Sequence, residues 1–149
     1  MGQWYLSNFI LTKDICDSFP NEIKSLPLLK KQYHVMKWLI KQQNFYSAEN
    51  FMMMGKASLF KCSKSFNLMG LTDNPGSHKK LGRHVTGFND VTWNEYCCNI
   101  VKIGNYLKFS QDENIRHKLK ETGSAILIEG SPLDKNWGVG LRFDNPNIE

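Results

Sequence analysis

The amino-acid sequence predicts an α+β fold, with several helices packed on a small sheet. Three observations predict it. The ends are β-prone, with WYLSNF at 4–9 and AILIEG at 125–130. The middle carries helix-start signals at Ser47, Asn74, Thr92 and Ser110. Strand and helix patterns do not alternate, so a chain of βαβ units is excluded.

The WYLSNF stretch predicts a short strand or a buried arm. Residues 12–30 are mixed in character, with Pro20 and Pro27 as breakers. Disorder is expected at most there and at the ends. YHVMKWLI, residues 33–40, is aromatic and β-branched with partial alternation, and predicts a strand. Ser47 predicts an N-cap, and Glu49 falls in the first turn, where the helix dipole favours a carboxylate. That helix runs through ENFMMMGKASLF and places Glu49, Met53 and Lys56 on one face.

Asn74 before Pro75 combines an N-cap with a proline at the first helical position. The short helix they open carries His78, Lys79 and Arg83, and Gly82 ends or bends it. TWNE (92–95) and SQDE (110–113) are capping boxes that open two further helices. The second should stop at Gly123. AILIEG then predicts a buried strand. The loop EGSPLDKNWGVGL, residues 129–141, follows it and sets Asp134 and Trp137 among glycines.

A chain of 149 residues favours one domain, 1–149, with a single core. Its 41% hydrophobic and 22% charged residues fit an ordinary globular protein. The net charge of +5 is compatible with a phosphate-bearing or nucleic-acid ligand without requiring one. Four cysteines show no CxxC spacing, and the four histidines have no ligand spacing. Neither a disulfide framework nor a metal is expected. No apolar run approaches the ~20 residues that span a bilayer. MGQWYLSNF lacks the marks of a signal peptide, and Leu6 breaks the myristoylation pattern. A cytoplasmic protein without membrane contact is expected.

The stretches LSNF (6–9), FYSAENFMMMGKA (45–57), HKKLGRHV (78–85), Trp93, LKFSQDENIRHKLKETG (107–123) and ILIEGSPLDKNWGVG (126–140) occur in that order. Together they resemble the NADAR family, also called YbiA-like. The resemblance covers nearly the whole chain, apart from a patch around 12–32. It departs from the family at YCCNIV, where a methionine and an arginine are usual, and at Leu107, where alanine is usual. These read as packing changes, although the absent arginine removes a candidate phosphate contact.

The resemblance implies a compact α+β domain that cleaves N-glycosidic bonds of ribose phosphates and needs no cofactor. It implies an ADP-ribose-containing ligand, with ADP-ribosylated guanine in nucleic acid as the leading substrate. A phosphoribosylamino-pyrimidine of riboflavin synthesis is the alternative within the same chemistry. A sensor that binds an NAD-derived nucleotide without cleaving it is the alternative outside it.

Breaking such a bond builds positive charge on ribose C1 and its ring oxygen, so a carboxylate must stand near it. Alone, Glu49 reads as an acid complementing a helix dipole, and Asp134 as a turn residue. The resemblance implies that both are catalytic. Lys56, Lys79, Arg83 and Lys108 read alone as solvated charges; the resemblance makes them partners for a diphosphate. Lys79 and Arg83, at i and i+4, can converge on one anion. Lys56 or Lys79 could also form an imine with the aldehyde of a ring-opened ribose. Trp93 and Trp137 could stack on a base or pack in the core. Gly138 would let backbone approach a ligand, and Asn8 is a weaker candidate contact. Met52, Met53 and Met54 are expected in the core.

Overall fold

The computed structural model describes residues 8–127 together with Trp137. It divides into two compact units, Met1–Arg116 and His117–Glu149. The first unit is mostly helical with a two-stranded antiparallel sheet, an α+β architecture. Strand β1 (Phe9–Ile10) pairs with β2 (Asn44–Phe45), and Phe9 faces Phe45. Their rings stack at 5.7 Å, and Phe51 meets both, at 5.8 and 4.9 Å between centroids. This aromatic cluster fastens a very short sheet to the helical core. Residues 1–7, including the Trp4–Ser7 part of WYLSNF, lie outside the described residues.

The mixed stretch 12–30 is ordered as α1 (Lys13–Asp17), α2 (Asn21–Lys24) and α3 (Pro27–Lys31). Its prolines start helices: Pro20 is the N-cap of α2, and Pro27 opens α3. YHVMKWLI is not a strand. It forms α4 (Tyr33–Gln42), which buries Val35, Met36 and Leu39. Those three lie at i, i+1 and i+4, a helical face, and Trp38 adds an edge contact to Phe66 at 5.3 Å. Packing on one face overrides the β preference of the residues.

Helix α5 (Ala48–Leu59) starts where Ser47 predicts, with Ser47 Oγ accepting from Asn50 N at 3.0 Å. It ends in a Schellman turn. Lys61 N donates to Ser58 O and Cys62 N to Ala57 O, with Lys61 at φ 56°. Glycine is the usual residue at that position, and a side chain there costs about 1 kcal/mol. Helix α6 (Ser63–Gly70) follows. Helix α7 (Pro75–Arg83) opens on Asn74 as expected, and Gly82 stays inside it.

Two caps lie elsewhere than the capping boxes predict. Helix α8 (Asp90–Gln111) is capped by Asn89, whose side chain accepts from Thr92 N, so Thr92 is already inside the helix. Helix α9 (Glu113–Glu121) starts at Asp112, whose Oδ1 accepts from Asn114 N and Ile115 N; Ser110 still belongs to α8. The boundary between the two units falls within α9. Gly123 follows at φ 57°, the stop the sequence predicts. Beyond it, Ala125–Leu127 is not strand, and Ile126 and Leu127 are exposed, against the expectation of a buried strand. The rest of AILIEG lies outside the described residues.

Helix α5 is the centre of the first unit and packs on α4, α6, α7 and α8. Glycines set two of its closest approaches. A Cβ on Gly55 would stand 2.6 Å from Ile100 Cγ2, and one on Gly104 would stand 2.8 Å from Phe51 Cδ1. Ile100 and Phe51 are fully buried, so neither can easily yield. Gly55→Ala is expected to cost ~1–3 kcal/mol through overpacking. Urea unfolding should show a lower midpoint at unchanged slope.

Candidate active site

The face of α5 predicted from helical spacing carries Glu49, Met53 and Lys56, all partly exposed, while Asn50, Phe51, Met54 and Ala57 are buried. Met54 is therefore core as expected, and Met52 and Met53 lie at the core's edge. Helix α7 lies across this face. A Cβ on Gly82 would overlap Met53 Sδ, the end of a flexible and partly exposed side chain, so glycine allows this approach without displacing it. The approach brings Lys79 to Glu49, with Nζ 3.8 Å from Oε1. Arg83, one turn on and exposed, shares the Lys79 side of α7.

A buried polar network holds this junction. Ser47 and Asn50 lie at the start of α5, and Asn50 Oδ1 accepts from Tyr46 N at 3.1 Å. The Asn50 amide nitrogen is 3.2 Å from His78 Nε2, which is 2.6 Å from Thr72 O. A carbonyl only accepts, so His78 Nε2 carries a proton and donates to Thr72, and the Asn50 amide nitrogen, itself a donor, is a packing neighbour of that nitrogen and not its hydrogen-bond partner. Nδ1 is buried with no hydrogen-bond partner among the described residues. His78 also stacks on Tyr46 at 6.1 Å. The sequence marks His78 only as one scattered histidine; the fold shows that it anchors α7 one residue before Lys79.

At the far end of the face, Lys56 Nζ lies 4.5 Å from the Phe88 ring centroid and 5.6 Å from that of Trp93. Trp93 packs on the core, one of the two roles that the sequence left open, and also meets Lys56. Phe88 is an addition that sequence reasoning missed. It follows the turn at Gly87, whose φ of 77° suits glycine. Burial lowers the Lys56 pKa from the ordinary lysine value, and Asp90 opposes that shift. Glu49 and Lys56 stand about 10 Å apart along the axis, two turns of helix. The arrangement is a carboxylate beside one amine, with a second, partly desolvated amine between aromatic rings.

The remaining predicted residues belong to other elements or lie outside the described residues. Asn8 is exposed and immediately precedes β1. Lys108 is 6% exposed, and its Nζ lies 5.2 Å from the Phe109 ring centroid. Trp137 belongs to the second unit and is 37% exposed. Asp134 and Gly138 lie outside the described residues. Among the described residues, no group of His, Cys, Asp or Glu side chains could hold a metal ion. None of the described helices is long and apolar enough to cross a membrane.

The NADAR domain model matches residues 2–149, and the chain belongs to that family. It is 41% identical over 97 residues to a protein named N-glycosidase from Acanthamoeba polyphaga mimivirus, covering 65% of this chain and 57% of that protein. It is 31% identical over 99 residues to Protein irg-1 of Caenorhabditis elegans, covering 65% and 47%. A second protein named N-glycosidase, from Nostoc punctiforme, is 28% identical over 98 residues, covering 66% and 59%. The matches thus span about half the length of these relatives.

Two measurements check the electrostatics. Reductive methylation with labelled formaldehyde, followed by NMR titration, should show Lys56 titrating below the exposed lysines, as its desolvation requires. Burial also lowers the Lys108 pKa, with Asp112 opposing. The unfolded chain then binds more protons than the folded one between the two pKa values, so stability rises with pH through that interval. Below it the full penalty of the buried charge applies. Lys108→Met is expected to raise the melting temperature near neutral pH by a few degrees and to flatten the alkaline rise. Thermal melts across neutral to alkaline pH read both effects.

Proposed function

We propose that this chain is an N-glycoside hydrolase that removes ADP-ribose from ADP-ribosylated guanine in nucleic acid. The observation that carries the reading is the shared face of α5, where Glu49 meets Lys79 and Lys56 sits between Phe88 and Trp93. Family membership and two relatives named N-glycosidase support the reaction class.

The chemistry follows from the groups. Glu49 faces ribose C1 and offsets the positive charge that develops as the bond to the base stretches. Lys79 and Arg83 bind the diphosphate. Trp93 borders the Lys56 end of the face, and the family resemblance implies Asn8, Lys108, Trp137 and Gly138 as further ligand contacts and Asp134 as a second carboxylate. Lys56 is the better nucleophile of the two candidate amines. Its pKa is lowered by burial, whereas Lys79 is more than half exposed and paired with Glu49. In the covalent route the neutral amine adds to C1 of the ring-opened sugar, and the base leaves with a proton. A lysine imine results. Water adds to the imine, the C–N bond breaks, and the free amine and ADP-ribose are released.

Three substrates test the reading: guanine-ADP-ribosylated DNA, the phosphoribosylamino-pyrimidine, and free ADP-ribose. Loss of the modification from DNA alone is the expected result. Turnover of the pyrimidine alone would replace the substrate, and binding of ADP-ribose without turnover of either would make the chain a sensor. Glu49→Gln is expected to lower kcat by at least about a hundredfold with an unchanged circular dichroism spectrum. A near-normal rate would remove Glu49 from catalysis. Borohydride added during turnover should trap a protein–ribose adduct that Lys56→Met abolishes. Absence of any adduct would leave direct attack by water.

A further inference from the structure

Helix α7 has a second basic side that the reaction does not use. Lys80 and His84, each one residue after Lys79 and Arg83, line a cavity of about 650 Å3 together with Lys61 and Lys64. No carboxylate lines it among the described residues. His84 Nδ1 donates to Lys80 O at 2.7 Å, which fixes the imidazole against its own helix. Lys61 occupies the left-handed turn position where glycine is the usual residue. A backbone position that favours glycine has been given to a cation that lines the cavity. The floor is apolar and hydroxylic, with Leu81, Ser65 and Thr86.

A ligand with a single diphosphate has its charges met by Lys79 and Arg83. Three further amines without a lining acid suit a ligand that carries phosphates beyond that group. We propose that this cavity is a subsite for the phosphodiester backbone of nucleic acid flanking the modified guanine. The proposal rests on the ADP-ribosylated nucleic-acid reading above. Because Lys79 and Lys80 are consecutive on α7, a strand leaving the Glu49 face crosses the helix directly onto the cavity. Phosphate contacts of this kind position a substrate without reading its sequence.

The test compares wild type with the triple variant Lys61→Gln, Lys64→Gln, Lys80→Gln. Two substrates are used: a single-stranded oligonucleotide carrying one ADP-ribosylated guanine, and the same modified guanosine as a free nucleoside. The variant is expected to raise KM for the oligonucleotide about tenfold or more and to leave both constants for the nucleoside unchanged. Binding of an unmodified oligonucleotide should lose salt dependence, with the log–log slope falling by about 2. The corresponding triple Lys→Arg variant should behave as wild type, and Lys64→Gln alone should show a smaller shift in the same direction. Equal losses on both substrates, or no loss on either, would overturn the proposal. If wild type cleaves neither substrate, the activity reading falls by itself. The slope for unmodified oligonucleotide then decides the cavity: a drop in the triple variant retains it, and an unchanged slope removes it.

Discussion

The close packing around α5 governs the rest of the first unit. Four helices pack against it; glycines at 55 and 104 let α8 come nearer than a side chain would permit, and Gly82 lets α7 approach without displacing Met53. A helix enclosed this way has little surface left. On α5 the strip with Glu49, Met53 and Lys56 remains partly open while Asn50, Phe51, Met54 and Gly55 are buried. Charged groups on such a strip are partly desolvated by their neighbours, which explains why Lys56 is shifted. Burial of the helix and the lowered Lys56 pKa on its open edge therefore have one cause.

The same packing fixes the rotation of α7. Its buried residues are His78 and Gly82, at i and i+4. Gly82 packs against Met53, and His78 is held by its bond to Thr72 and its stacking on Tyr46. Among the described residues Nδ1 of His78 has no partner, and a buried nitrogen left so would cost ~1–3 kcal/mol. With that stripe facing α5, a step of about 100° per residue sends Lys79 and Arg83 to one side. Lys80 and His84 fall a further step round. One buried stripe thus sorts four basic side chains into two groups.

Features set by neighbours in sequence were legible in it. Ser47 and Asn74 cap as expected because a cap needs only its own first turn. The shared face of Glu49 and Lys56 follows from helical period alone. Thr92 and Ser110 were misplaced as caps because Asn89 and Asp112, close by, are equally good acceptors, and the chain closes on those instead. The strand expected at 33–40 fails for a different reason. A run of apolar residues is compatible with either period until one knows what packs on it, and α5 supplies a helix-shaped partner. The Gly55–Ile100 and Gly104–Phe51 contacts had no signal at all, since a glycine in a helix reveals nothing about the side chain opposite. Phe88 reaches Lys56 only because Gly87 turns the chain.

What α7 does with its two sides bears on substrate size. Lys79 is only 3.8 Å from a carboxylate, so part of its charge is already answered within the protein. The lysines of the neighbouring cavity have no such partner among its lining residues. Exposed cations that merely keep a protein soluble are usually interspersed with acids, which lowers their mutual repulsion. Here three lysines line one cavity with no acid among its described lining residues, and one of them occupies a turn position that favours glycine. The backbone cost at that position stays whether or not a ligand is bound, whereas an anion entering the cavity would meet three cations at once. A substrate whose charge ended at its diphosphate would leave these cations unmet, whereas a polymer of phosphates would meet them on every productive encounter.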